Sequence, residues 1–221
     1  MVMNPIAKRT ISALTTAALV VLAIFYAPTS WIKPVVTVLA GLAFFEFSLL
    51  LRRKTSSLTL RWFGLGVFGC LVILTGLTSL SVIAIRHGNL MMLYVIAIIK
   101  ISDMGGFAAG VSTAKLMTGG NHKMCPTISP NKSWEGLSGS VAASCILSCC
   151  FIPITHFVWY KALAFGVTAA LVGTFGDLVE SKFKHWVGVK DSSTFMPAGM
   201  GGLLDMFDSL LFAPAVLLPF I

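Results

Sequence analysis

The sequence predicts an all-α fold, a polytopic membrane helix bundle of about seven transmembrane helices with a cytoplasmic N-terminus. Three observations predict it. Hydrophobic residues make up 57% of the 221 and charged ones 11%, with a mean hydropathy of +0.91, whereas a soluble domain carries about 25% charged residues. Apolar runs of roughly 20 residues, long enough to cross a hydrocarbon core of ~30 Å, follow one another along the chain. The connections between them alternate between rich and poor in lysine and arginine, the pattern that orients membrane helices.

The first run, 11–27, follows Lys8 and Arg9 and is longer than a secretory signal core, with no small-residue cleavage site after it, so it reads as a span. The second, 34–51, contains Glu46 and is stopped by Arg52, Arg53 and Lys54. The third, 62–85, ends at Arg86, and the fourth, 90–114, carries Lys100 and Asp103 inside it. A polar loop, 115–135, leads to the fifth, 136–154, whose Gly136, Gly139, Ser140 and Ala143 suit close helix packing. The sixth covers 158–179. The seventh, 203–221, is about 28 Å long at 1.5 Å per residue, enough to cross.

Basic residues count two before the first span, then one, four, one, three, one and three in the successive connections. By the positive-inside rule the loops 115–135 and 180–202 then share the cytoplasmic side. The formal net charge of +8 is met by this bias and by an anionic substrate alike. Lysines scattered singly among apolar spans exclude nucleic acid as a partner. The five cysteines show no C-x-x-C pair and no zinc-ligand spacing.

Five of the eight acidic residues lie between 176 and 209: Asp177, Glu180, Asp191, Asp205 and Asp208. Lys182, Lys184 and Lys190 lie among them. Carboxylates at the edge of a hydrocarbon layer are costly and mark function, and carboxylates with lysines fit a divalent cation holding a phosphate. Asp205 and Asp208 share one helix face at the start of the seventh span, where the helix dipole tolerates anions; capping alone is the bland alternative. Asp177 and Glu180 repeat the spacing at the end of the sixth span, where the dipole opposes them and a cation is needed. Gly199, Gly201 and Gly202 either admit a phosphate to backbone N–H groups or form a flexible link. Asp103 with Lys100 is either an internal ion pair or the wall of a cavity that Gly105, Gly106 and Gly110 leave open. In the loop 127–136, Ser129, Lys132 and Ser133 are candidate phosphate ligands, and Trp134 is an interfacial anchor or a base-stacking ring. Glu46 reads as a helix-packing acid. His87, His122, His156 and His185 read as loop residues.

These stretches resemble the phosphatidate cytidylyltransferase (CDP-diacylglycerol synthase) family. Ser181-Lys-Phe-Lys184-His185, with Lys190-Asp191 four residues on, is similar to its S-x-x-K-R-x4-K-D. Gly201-Gly202-Leu-Leu-Asp205-Met206-Phe-Asp208-Ser209 is similar to its glycine pair followed by D-R-x-D. Ser129-Pro-Asn-Lys132-Ser-Trp-Glu135-Gly136 resembles S-P-K-K-T-W-E-G. Asp103-Met-Gly-Gly-Phe107-Ala-Ala-Gly110 resembles D-x-G-A-Y-x-x-G, and Gly176-Asp177-Leu-Val-Glu180-Ser181 resembles G-D-L-x-E-S. His185 and Met206 replace arginines, Met200 replaces a histidine, and one extra residue separates Pro197 from the glycine pair. The likeness is close over about 90–213. It implies a single integral membrane domain over 1–221, with variable N-terminal spans in 1–88 and a catalytic region in 89–221.

The resemblance further implies cytidylyl transfer from CTP to phosphatidic acid, giving CDP-diacylglycerol and pyrophosphate in phospholipid biosynthesis. Asp177, Lys184, Lys190, Asp191, Asp205 and Asp208 would be catalytic. Asp177, Asp205 and Asp208 would hold Mg2+, with room for a second cation. Asp103, Lys123, Ser129, Lys132, Ser133, Glu135, Glu180, Ser181, Gly201 and Gly202 would bind substrate. The implied partners are CTP, phosphatidic acid and the lipid bilayer, a homodimer being a compatible assembly, and the implied location is the bacterial inner membrane with the site facing the cytoplasm. An ion-coupled transporter is the rival from another class, since Lys100 and Asp103 lie among glycine-broken helices. The same transfer to a different lipid phosphate is the near rival.

The topology has a direct check. In a background without the native cysteines, Asn121→Cys and Ser193→Cys should react with a membrane-impermeant thiol reagent from the cytoplasmic side alone. Labelling of either from outside intact cells would contradict the orientation.

Overall fold

The structure is a computed structural model that describes residues 21–22, 24–26, 28–54, 60–117, 119–188 and 203–221; for 52–54, 60–65 and 203–206 it describes the backbone alone. The chain runs α1 (Thr29–Lys54), α2 (Leu60–His87), α3 (Asn89–Leu116), β1 (Lys123–Cys125), β2 (Ser129–Ser133), α4 (Trp134–Cys150), α5 (Ile152–Thr155), α6 (Trp159–Val187), α7 (Leu203–Leu217) and a closing 3-10 turn at Leu218–Phe220.

Among the described residues four helices are long and apolar enough to cross a membrane: α1 over Thr29–Leu51, α2 over Gly66–His87, and the whole of α3 and α6. Their outward faces carry large apolar side chains, among them Val38, Leu42, Leu71 and Phe175. Such a surface is that of a chain solvated by lipid. The expected first span, 11–27, falls mostly outside the described residues, of which 21–22 and 24–26 are helical. The expected span 136–154 is a 17-residue helix that ends at Cys150, because Pro153 starts a new short turn and cannot donate to the preceding one. The expected span 203–221 is a 15-residue helix followed by the 3-10 turn. The helix is thus about 22 Å long.

Two findings differ from the purely helical expectation. The loop 115–135 contains an antiparallel hairpin with Lys123 opposite Ser133 and Cys125 opposite Ser129. Its second strand includes Pro130, a residue that argues against a strand in sequence. The sixth helix does not stop at 179 but continues to Val187, closing on Gly188 with a positive φ of 79°. Gly adopts this left-handed cap at no steric cost.

The buried apolar core is drawn from α1, α2, α3, α6 and α7, and an aromatic group ties α3 and α6 to the end of α4. Buried Tyr94 stacks on Phe151 and on Phe165, both at 5.3 Å between ring centroids, and its hydroxyl is 2.7 Å from Ser148 Oγ. A buried phenol needs that partner. Small residues let α3 and α4 touch backbone to backbone, as the sequence predicts for 136–143. A Cβ added at Gly139 would lie 2.3 Å from Ala109 Cβ and 2.7 Å from the Gly105 carbonyl oxygen.

Gly139→Ala should therefore lower the thermal unfolding midpoint in detergent, by about 1–3 kcal/mol of overpacking. Gly41→Ala, on a helix position with nothing within 4 Å of the new Cβ, should leave it unchanged or raise it. Equal effects would contradict the α3–α4 contact.

Candidate active site

Few charges enter the bundle, and several of them converge. Helices α3, α6 and α7 each bring one carboxylate: Asp103, Asp177 and Asp208. Their approach depends on two glycines. A Cβ at Gly176 would lie 2.9 Å from the Asp208 carbonyl oxygen, and one at Gly76 would lie 2.0 Å from that of Leu211. Helix α7 thus rests directly on the backbones of α6 and α2. Asp103 faces α6 at Gly173, and Asp177 interacts electrostatically with both Asp208 and Asp103.

Two lysines enter the same cluster from different directions. Lys100 Nζ is 3.6 Å from Asp103 Oδ2 and 4.0 Å from Asp208 Oδ1. It donates to Ser209 Oγ at 3.1 Å, and Ser209 Oγ donates in turn to Asp103 Oδ2 at 3.0 Å. Lys132, from strand β2, pairs with Asp177 Oδ2. The other oxygen of that carboxylate, Oδ1, is buried and receives no hydrogen bond from the described residues. Three carboxylates face two ammonium groups, which leaves these five groups with one excess negative charge.

The sequence places Asp177 at a helix C-terminus that needs a compensating cation. Because α6 continues ten residues further, the helix dipole, which acts within the last turn, does not bear on it. The compensation comes from Lys132 across the fold. Lys184 pairs with Glu180 at 2.8 Å, one turn along α6 from Asp177, and Ser181 lies half-buried on the same helix.

The hairpin is fixed to the start of α4 by local bonds. Ser133 caps the helix, its Oγ accepting the Gly136 N–H at 3.1 Å. Asn121 Nδ2 donates to the Gly110 carbonyl at 2.6 Å. Glu135 Oε1 accepts the His122 N–H at 3.1 Å and lies 2.6 Å from His122 Nδ1. That bond holds the Glu135 carboxyl well below its ordinary value of 4.5, at about 2. A cavity of about 150 Å³ lies between the hairpin, α3, α4 and α6, lined on its polar side by Asp103, Asn131, Lys132 and Ser133. It has room for a phosphate-sized group.

The structure thus brings Asp103, Lys132, Asp177 and Asp208 together. Ser133 and Glu135 have bonding roles in the hairpin–helix junction. Lys123 is exposed on β1, and Ser129 opens β2. Lys190, Asp191, Met200, Gly201 and Gly202 lie outside the described residues, as do the side chains of Asp205 and Met206, whose backbone lies in α7. The Lys100–Asp103 ion pair is present and is extended to α7. Sequence reading gives Ser209 and His122 no role: Ser209 only closes the stretch quoted for the resemblance, and His122 reads as a loop residue, whereas the structure bonds them to Asp103 and Glu135.

Such a bundle, with apolar outward faces and a cluster of carboxylates and lysines among its described residues, is that of a polytopic membrane protein. The chain matches the cytidylyltransferase family over residues 6–221, and it belongs to that family. It is 44% identical over 125 residues to a phosphatidate cytidylyltransferase of Mycobacterium bovis, covering 55% of this chain and 36% of that protein. It is 42% identical over 122 residues to one of Staphylococcus aureus, covering 54% of this chain and 44% of the relative. The matched stretch therefore spans less than half the length of these relatives.

Lys132→Met should leave the Asp177 carboxylate without its ammonium and destabilise the fold by about 1–3 kcal/mol, and adding Asp177→Asn should restore part of the loss. Strictly additive losses in a double-mutant cycle would contradict the pair. The depressed Glu135 carboxyl has a separate signature. Its contribution is complete above about 4.5 and is lost as pH falls toward 2. The unfolding midpoint of Glu135→Gln should therefore approach that of the parent as pH drops below 4.5; a gap that widens there would contradict it.

Proposed function

We propose that the protein transfers the cytidylyl group of CTP to phosphatidic acid, giving CDP-diacylglycerol and pyrophosphate for phospholipid synthesis. The observation that carries this reading is the meeting of Asp103, Asp177 and Asp208 with Lys100 and Lys132, in a chain of the cytidylyltransferase family whose relatives bear the name phosphatidate cytidylyltransferase.

In this reaction an oxygen of the lipid phosphate forms a bond to the α-phosphorus of CTP, and the bond from that phosphorus to the β-phosphate oxygen breaks. The attacking group is already anionic, so no serine or cysteine nucleophile is required. Catalysis rests on positioning and on neutralising charge. Lys132 and Lys100 are the ammonium groups at the cluster, and Lys132 also lines the small polar cavity, where phosphate oxygens would be held.

Mg2+ fits the donor set. The chemistry is hard carboxylate oxygen, Asp177 Oδ1 is buried with no hydrogen bond from the described residues, and the five cluster groups carry an excess negative charge. Among the described residues no three acidic, histidine or cysteine side chains form a metal cage by themselves. That suits an ion that takes one or two carboxylates and completes its shell with substrate phosphates and water. Of the three acids the sequence offers, Asp177 and Asp208 would hold it directly; Asp205, whose side chain lies outside the described residues, would stand one turn before Asp208 on α7. When bound it would draw charge from the phosphates.

The site would face the cytoplasm of a bacterial cell from its inner membrane, where CTP is present and where the basic connections orient the chain. Family membership sets aside the transporter reading.

Purified protein given CTP, Mg2+ and phosphatidic acid should release pyrophosphate. Asp177→Asn and Asp208→Asn should lower the rate by about 10²–10³-fold, the usual loss on removing one electrostatic group from a reaction centre. Glu46→Gln, at a buried acid of α1 that is not one of these cluster groups, should cost less than tenfold. Equal losses at all three positions, or no pyrophosphate from the parent protein with any lipid phosphate, would contradict the proposal.

A further inference from the structure

A second concavity, of about 710 Å³, lies between α1, α2, α6 and α7. That volume is within the range of specific ligand pockets, about 300–1,000 Å³. Its walls are almost wholly apolar, and three of its four helices are long enough to cross the membrane. Buried Phe47, Ile73 and Leu211 form its floor, while Phe68 and Trp186, both exposed, stand at its rim. The polar side chains that reach it are Glu180, Lys182 and Asp208. Asp208 also belongs to the carboxylate cluster, 4.0 Å from Lys100 Nζ. The groove therefore runs from hydrocarbon-level helices into the place where phosphate chemistry would occur.

An occupant must match that sequence of surfaces. It must be apolar along its length and must end in an anion beside Lys182 and the cations at the cluster. A nucleotide would waste the apolar walls, and a neutral hydrocarbon would leave the charged end unused. One wall is held in place by aromatic contact. The rings of Phe47 and Phe183 stack at 4.8 Å, and Trp186 leans on Phe183 at 6.2 Å. Gly69 is what allows Phe47 into this position, since a Cβ there would lie 2.2 Å from the tip of the ring.

We propose that this groove receives one acyl chain of the phosphorylated lipid acceptor, and that the stacked Phe47–Phe183 wall sets the chain length it accepts. The inference rests on the reaction proposed above and adds the part of the protein that selects the acceptor. Val72 and Val179 line the groove from opposite helices, α2 and α6. Neither belongs to the carboxylate–lysine cluster, so enlarging them fills the groove and leaves the reacting groups in place.

The test measures kcat/KM for two phosphatidic acids, one with 16-carbon and one with 8-carbon chains, presented in the same detergent micelles. Val72→Phe, and separately Val179→Phe, should lower the long-chain to short-chain ratio at least tenfold while leaving the KM for CTP unchanged. Phe183→Leu, which shortens the aromatic wall, should move the ratio the other way. A ratio unchanged in the folded, active valine variants would overturn the inference. That outcome is the one expected if the groove instead holds another segment of this chain or a second copy of it. Equal loss with both acceptors would overturn it as well. Failure of the underlying reaction looks different: the parent protein would then release no pyrophosphate with either lipid.

Discussion

Three carboxylates from three helices cannot lie together in a hydrocarbon-level bundle unless cations accompany them. Everything else about this protein follows from how that charge is held. Asp103 is balanced within its own helix by Lys100, which also reaches Asp208 and Ser209 on α7. Asp177 is balanced from outside the bundle by Lys132 on the hairpin. The lysines are therefore ties between elements as well as counter-charges. One joins α3 to α7 and the other joins the hairpin to α6. Because the carboxylates outnumber the lysines, the cluster retains a demand for positive charge that the described protein alone does not meet. Unsatisfied charge of this kind in an apolar setting costs stability and is kept where function uses it.

Packing serves the same end. Close approach of α7 to α2 and α6 is possible only at Gly76 and Gly176, and that approach sets Asp208 beside Asp177. The α3–α4 interface, also made through glycines, positions the hairpin that follows α3 and leads into α4. Capping by Ser133 and the His122–Glu135 contact then fix the hairpin's geometry at its base. Lys132, on the strand that ends in that cap, is thereby presented to α6. The aromatic core around Tyr94 holds α3, α4 and α6 together beneath the cluster.

Much of the helical architecture was legible in the sequence, because a run of apolar residues long enough to cross a membrane has few alternatives. Boundaries were less so. Helix α6 continues to Val187 since Phe183 and Trp186 keep an apolar stripe within the polar stretch 181–187, and hydropathy falls before the helix ends. The hairpin was hidden by its brevity and by Pro130. In the site, the carboxylates stood out because acids are rare in this chain. Their partners did not, because Lys132 and Asp177 are 45 residues apart and Lys100 and Ser209 are 109 apart. Spacing along one helix cannot reveal such pairs. The resemblance to a family named Lys132 as a substrate ligand; the fold adds that the same ammonium holds Asp177.

If Asp177 and Asp208 act as the proposed cation-binding unit, with the remaining ligands supplied by the nucleotide, then cation and CTP must bind cooperatively. Binding of Mn2+, followed by loss of its free-ion electron paramagnetic resonance signal in titrations of the purified protein with and without CTP, tests this directly. The parent protein should bind Mn2+ more tightly when CTP is present, and both Asp177→Asn and Asp208→Asn should abolish that gain. A gain that survives either substitution, or Mn2+ affinity indifferent to CTP, would contradict it.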